Sequence, residues 1–245
     1  MTPARYINPD IAGDEEQGAR PLHPGGGANQ LRVRAYNERL VLSLVRRNVG
    51  LSKADIARLS GLSAQTVSVI MRALEKDGLL KRGDPVRGKV GKPSIPMALD
   101  PDGVFSFGLK IGRRSAELIL MDFVGTVRAS LNEAYKYPTP DGIRKFVRAS
   151  VEQLSRGLST MHRQRIAGIG IAAPFELWNW VEEVGAPPED MSAWREVDLI
   201  DIIGEIVPFP VFQQNDATAA CGAELVFGAG PNYSDFAYFF IGSFI

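Results

Sequence analysis

Between residues 37 and 74, apolar positions recur at three- and four-residue spacing, as they do on helices with one buried face. The spacing predicts a helix over 37–47 with Leu40, Val41, Leu44 and Val45 on one side. Ser52 then stands where an N-cap belongs, with Asp55 three residues on, close to a capping box. A short second helix carries Ile56, Ala57 and Leu59, and Gly61 supplies the turn after it. Ser63 is a second N-cap, opening a longer helix whose inward residues are Val67, Ile70, Met71 and Leu74. Helix, short helix, turn and longer helix make a helix-turn-helix. A strand begins at 79–82, and the hairpin after it, studded with Arg87, Lys89 and Lys92, reads as a basic wing.

After Asp100-Pro101-Asp102-Gly103 the period changes. Apolar runs of strand length at 104–111, 116–123 and 127–135 predict three antiparallel strands. A helix follows over about 140–162, with Ile143, Phe146, Val147, Val151, Leu154 and Leu158 at helical spacing. Strands are expected at 166–172, 211–214 and 235–241, and helices at 197–207 and 217–227. Three antiparallel strands, a helix, then alternating strands and helices form one lobe of an α/β protein. Residues 1–30, with Pro3, Pro9, Pro21, Pro24 and the Gly25-Gly26-Gly27 run, read as a disordered tail. A second break falls at 87–96, where Gly and Pro interrupt a basic stretch. The chain therefore divides into a tail (1–30), a winged helix-turn-helix (31–100) and an α/β lobe (101–245).

Composition adds a division of charge. The 245 residues carry a net charge of zero, but 31–92 hold 14 Lys+Arg against 5 Asp+Glu, while 93–245 hold 12 against 19. A basic module joined to an acidic body suggests a nucleic-acid-binding segment carrying something else. Cys221 alone allows no internal disulfide, and with His23 and His162 it has no zinc-ligand spacing, so no metal site is expected. No apolar run reaches membrane-spanning length and no secretory h-region opens the chain, which points to the cytoplasm and away from membranes.

In such a module Ser63, Ala64, Gln65, Thr66 and Ser68 open the recognition helix, where short polar side chains reach base edges in the major groove. Arg72 and Lys76 lie further along and suit phosphates, which fix position without specifying sequence. Lys81, Arg82, Arg87, Lys89 and Lys92 suit the backbone or minor groove from the wing. The expected partner is a double-stranded DNA operator; the plain alternative for each cation is a solvated surface charge.

The winged helix, then Phe107-Gly108-Leu109-Lys110-Ile111-Gly112, Gly168-Ile169-Gly170-Ile171-Ala172-Ala173-Pro174 and Asn215-Asp216-Ala217-Thr218-Ala219-Ala220, resembles the ROK family of repressors and sugar kinases. The arrangement Trp194, Val211-Phe212, Asn215-Asp216, Ala223-Glu224 and Phe227-Gly228 is the most specific part. The resemblance implies the first lobe of an actin-like/hexokinase-type (ribonuclease H-like) fold behind the winged helix. It also implies a transcriptional regulator of carbohydrate metabolism genes, a repressor by expectation, that acts as a homodimer and answers to a sugar or sugar-phosphate effector.

Kinases of that family end the first strand in an Asp-x-Gly-Gly-Thr type loop, whose small residues admit ATP phosphates and whose Asp organises Mg²⁺. Here Lys110-Ile111-Gly112-Arg113-Arg114 puts a cation in place of the carboxylate and long side chains in place of small ones. No catalytic residue and no cofactor are therefore expected, although an ATP-dependent sugar kinase remains the alternative from the enzyme class. Asn215 and Asp216 match the sugar-contacting pair of the family; Asp216 capping the helix that follows is the structural alternative. Phe175 stands where a Gly is usual, and Trp178 and Trp180 crowd the next loop, to stack on a sugar or to fill its pocket. The family's second lobe has no counterpart before Ile245, so a truncated product, or a non-sensing DNA-binding fragment, is a further expectation.

Overall fold

The computed structural model describes residues 26–48, 50–85 and 95–241. The chain forms two compact units, one ending at Gly103 and the other starting at Val104.

The first unit opens with α1 (Gly26–Arg47), followed by α2 (Lys53–Ser60), α3 (Ala64–Lys76), β1 (Leu80–Arg82) and β2 (Met97–Leu99). Helix α1 begins at Gly26, so residues 26–30 are helical, which corrects the expected tail over that stretch; residues 1–25 lie outside the described residues. The Ser52 side chain accepts from the Asp55 N–H and the Asp55 carboxylate from the Ser52 N–H, a complete capping box at α2. Helix α2 ends on Gly61, whose φ of 70° is left-handed and costs little without a Cβ. Ser63 caps α3 by accepting from the Thr66 N–H at 3.1 Å. Val41, Val45, Ile56, Val67, Ile70, Met71 and Leu74 close on Leu80, Met97 and Leu99 as one core. On the eight-residue α2, Ile56 is buried in that core and Leu59 is exposed. Strand β1 pairs antiparallel with β2, Lys81 opposite Ala98, and the Met97 N–H donates to the Leu51 carbonyl, fastening the wing's base to the start of α2.

The second unit contains β3 (Phe105–Ile111), β4 (Ser115–Asp122), β5 (Val127–Ala134), α4 (Pro140–Arg156), α5 (Thr160–Arg163), β6 (Ile166–Ala173), α6 (Val181–Val184), α7 (Pro188–Ser192), α8 (Leu199–Gly204), β7 (Val211–Asn215) and α9 (Asp216–Phe227). Its sheet has the order β5-β4-β3-β6-β7, antiparallel from β5 to β3 and parallel from β3 through β6 to β7. Alternation decides its faces: Phe105, Phe107, Leu109 and Ile111 of β3 and Ala116, Leu118 and Leu120 of β4 are buried with Ile143, Phe146, Val147 and Leu154 of α4. Thr139 caps α4 through the Gly142 N–H, and Pro140 pre-sets its first turn.

Three expected elements differ. The helix expected to run on to His162 stops at Arg156, and Ser159 caps the separate α5. The helix expected over 197–207 is confined to α8, capped by Asp198. Residues 235–241 form no strand; a strand exists only through its ladder, and among the described residues none pairs with them. Phe239 and Ile241 there are exposed, as are Leu225, Val226 and Phe227 of α9, which has no buried residue.

Candidate nucleic-acid interface and effector site

Helix α3 is amphipathic in the strict sense. At 100° per residue, Val67, Ile70, Met71 and Leu74 point inward, and Gln65, Val69, Arg72 and Lys76 fall on the opposite side. Ala64, Gln65, Arg72 and Lys76 are exposed, while Thr66 and Ser68 flank them half-buried. Ser63 is also exposed, but its hydroxyl is engaged as the cap and lies 2.8 Å from the Thr66 hydroxyl. Of the expected base-reading residues, the fold exposes Ser63, Ala64 and Gln65 at the helix start and leaves Thr66 and Ser68 half-buried on its flanks. Arg72 bends back to donate from Nε to the Ser68 carbonyl at 3.1 Å.

At the wing's base, Arg82 donates from Nε and Nη2 to the two Glu75 carboxylate oxygens, each at 2.9 Å. The two-point bond holds the Glu75 carboxyl below its usual range and raises the Arg82 guanidinium. Lys81, on the other side of β1, is exposed. Arg87, Lys89 and Lys92 lie outside the described residues. Two features escaped the sequence reading: the Glu75–Arg82 pair, whose seven-residue spacing crosses from helix to strand, and the apolar Val69 on the outward stripe. Helical spacing from Gln65 was a signal for Val69; nothing local signalled the ion pair.

In the second unit, the carboxyl ends of parallel strands β3, β6 and β7 lie side by side. Lys110 is opposite Ala172, and Ala173 is opposite Asn215. Open α/β sheets bind ligands beyond that edge. It gathers three segments singled out above: 110–114, Pro174-Phe175 and Asn215-Asp216. Asn215, rather than Asp216, is the N-cap of α9; its Oδ1 accepts from Ala217 N–H at 3.1 Å and Thr218 N–H at 3.4 Å. Asp216 is half-buried, and its Oδ1 accepts from the Ala217 N–H at 2.9 Å. Phe175 projects into solvent at this edge with 69% of its surface exposed, whereas Trp178 and Trp180 pack against the core. Trp194 is buried, its indole N–H donating to the Pro138 carbonyl at 2.9 Å.

The turn between β3 and β4 has its polar groups engaged. The Gly112 N–H, a donor that a phosphate would need, goes to the Ser115 carbonyl at 2.9 Å, and the Gly112 carbonyl accepts from the Tyr135 hydroxyl at 2.7 Å. Burial raises the Tyr135 hydroxyl well above its usual range. Arg114 donates to the carbonyls of Lys136 and Val184 and so braces the turn against β5 and α6. Among the described residues, no three His, Cys, Asp or Glu side chains converge as metal ligands, and no helix is long and apolar enough to cross a membrane.

Comparison with known proteins places both units. Residues 34–81 match the winged helix-turn-helix DNA-binding family. The xylose repressors of Bacillus spizizenii and Bacillus subtilis are each 26% identical over 213 residues, 86% of this chain and 54% of theirs. A transcriptional regulator of Mycobacterium bovis is 25% identical over 77% of this chain and 42% of its own length. The chain thus spans about half the length of the curated relatives it matches. A crystal structure of a ROK family transcriptional regulator, a homologue of the E. coli MLC protein, has a TM-score of 0.55 at 19% identity. That match covers 80% of this chain and 49% of that one, and it speaks for the fold. Residues 106–243 match the ROK family, and with more than half of its length inside that match the chain belongs to it.

Proposed function

We propose that this chain is a DNA-binding transcriptional regulator, a repressor of carbohydrate-metabolism genes whose α/β unit senses a sugar or sugar phosphate. The observation that carries the reading is the outward face of α3: Gln65 stands at the helix start with Arg72 and Lys76 along the same stripe. A polar tip for base edges and cations for phosphates are what major-groove docking of a recognition helix needs. A homodimer would place two such helices on half-sites about one DNA turn apart. The names of the Bacillus relatives make xylose the first sugar to try.

In this reading Asn215 and Asp216 hold sugar hydroxyls at the carboxyl edge of β7, and Phe175 offers an aromatic face beside them. Binding there shifts the protein away from its DNA-competent arrangement. Phosphoryl transfer finds less support, since Lys110 brings a cation where Mg²⁺ requires a carboxylate and Arg114 is engaged in bracing. The test is fluorescence anisotropy of the chain on its own upstream DNA and on scrambled DNA, with xylose and a panel of other sugars. Preference for the upstream DNA, weakened by one sugar, is the expected result. Equal binding to both DNAs, indifferent to every sugar, would overturn the reading.

A further inference from the structure

We propose that Val69 is a specificity-determining residue of the recognition helix, one that reads the 5-methyl group of a thymine in the major groove. The inference rests on the DNA-binding reading above and adds to it a contact with a defined chemical group. Val69 lies four residues after Gln65, on the stripe that also carries Arg72 and Lys76 and faces away from the core. It is 53% exposed, while Val67 and Ile70 on either side of it are buried. A single exposed apolar side chain is common on protein surfaces; this one stands between Gln65 and Arg72 on the stripe that would enter the major groove, where docking would bury it.

One flank of Val69 borders a groove of about 710 Å³ between α1 and α3, walled by Val33, Arg34 and Asn37 on one side and by Gln65, Thr66 and Ala73 on the other. Among the described residues, none closes over it, and Val69 stays 53% exposed. Among the groups a base pair presents in the major groove, the thymine methyl is the apolar one. Gln65, one turn nearer the helix start, has the amide that pairs bidentately with adenine N6 and N7. Together Gln65 and Val69 suit an A·T-containing step, the amide on the adenine edge and the isopropyl group against a thymine methyl. Val69 belongs to the base-reading set, and Arg72 and Lys76 serve the phosphates beyond it.

The test removes the methyl from each side of the contact. Duplexes are first selected from a random-sequence pool with the full chain, and each thymine of the selected site is then replaced singly by uracil, which lacks only the 5-methyl group. One replacement should weaken the wild-type chain about four-fold, the value of one buried methyl group, and leave Val69→Ala unaffected. At this exposed position Val→Ala favours the helix, so the variant folds. A selected site at which no uracil matters, or at which uracil costs both proteins equally, overturns the role of Val69 while DNA recognition stands. A pool that yields no enriched sequence overturns the DNA reading itself and this inference with it.

Discussion

Arg82, on the first strand of the wing, holds both carboxylate oxygens of Glu75, on the last turn of the recognition helix, at 2.9 Å. The pair couples the orientation of the wing's base to α3, the element that would enter the groove. It also occupies a cation that charge counting alone assigns to DNA.

Glu75→Gln removes a negative charge beside that interface and loosens Arg82. DNA binding should tighten, and the slope of log affinity against log salt should steepen by up to about 0.9, the contribution of one added phosphate contact. Anisotropy across a salt series reads both quantities. An unchanged slope would mean that Arg82 stays away from the backbone even when released.

Asn215 and Asp216 separate structure from sensing. Asn215→Ala deletes the cap that accepts from Ala217 and Thr218 and should cost about 1 kcal/mol of stability. Asp216→Asn keeps an acceptor for the Ala217 N–H, so its melting temperature should stay near wild type while the sugar response of DNA binding disappears. Thermal melts paired with anisotropy distinguish the two. A sugar response that survives Asp216→Asn would remove this residue from the effector site.

Acid should destabilise the α/β unit through Asp122, buried at the end of β4. Burial pushes its carboxyl upward, but N–H groups of Thr126 and Val124 and the Arg128 guanidinium at 2.7 Å more than offset that, leaving it below the ordinary 3.8. A carboxylate depressed in the folded state contributes stability that is fully present above its unfolded pKa and is lost as pH falls through the folded one. Asp122→Asn should therefore cost about 1–2 kcal/mol at pH 7. The gap to wild type should narrow below pH 3.8, as denaturant melts at a series of pH values would read. A gap independent of pH would assign the loss to packing alone.

The local signals in the sequence were strong where one face of an element is buried. The alternation of Phe105, Phe107, Leu109 and Ile111 marked β3, and the spacing of Val67, Ile70, Met71 and Leu74 marked α3. Caps at Ser52 and Ser63 were legible because the cap and the N–H it serves lie three residues apart. What escaped depends on tertiary context. The run at 235–241 reads as a strand by composition, yet pairing rather than composition makes a strand. The helix break after Arg156 turns on Gly157 and the Ser159 cap, which an unbroken apolar spacing conceals. At the carboxyl edge of the parallel strands only part was legible: Asn215 rather than Asp216 caps α9, and Trp178 and Trp180 pack against the core, a choice that depends on tertiary contacts.

The central claim is that the exposed start of α3 reads DNA sequence. Its most direct measurement is the affinity of the wild-type chain and of the Gln65→Ala, Thr66→Ala double variant for upstream and scrambled duplexes at one fixed salt concentration. The account predicts that the wild type prefers the upstream duplex and that the variant loses most of that preference, keeping only the few-fold share that Val69 contributes, while its affinity for scrambled DNA is unchanged. A variant that keeps the full preference would contradict it.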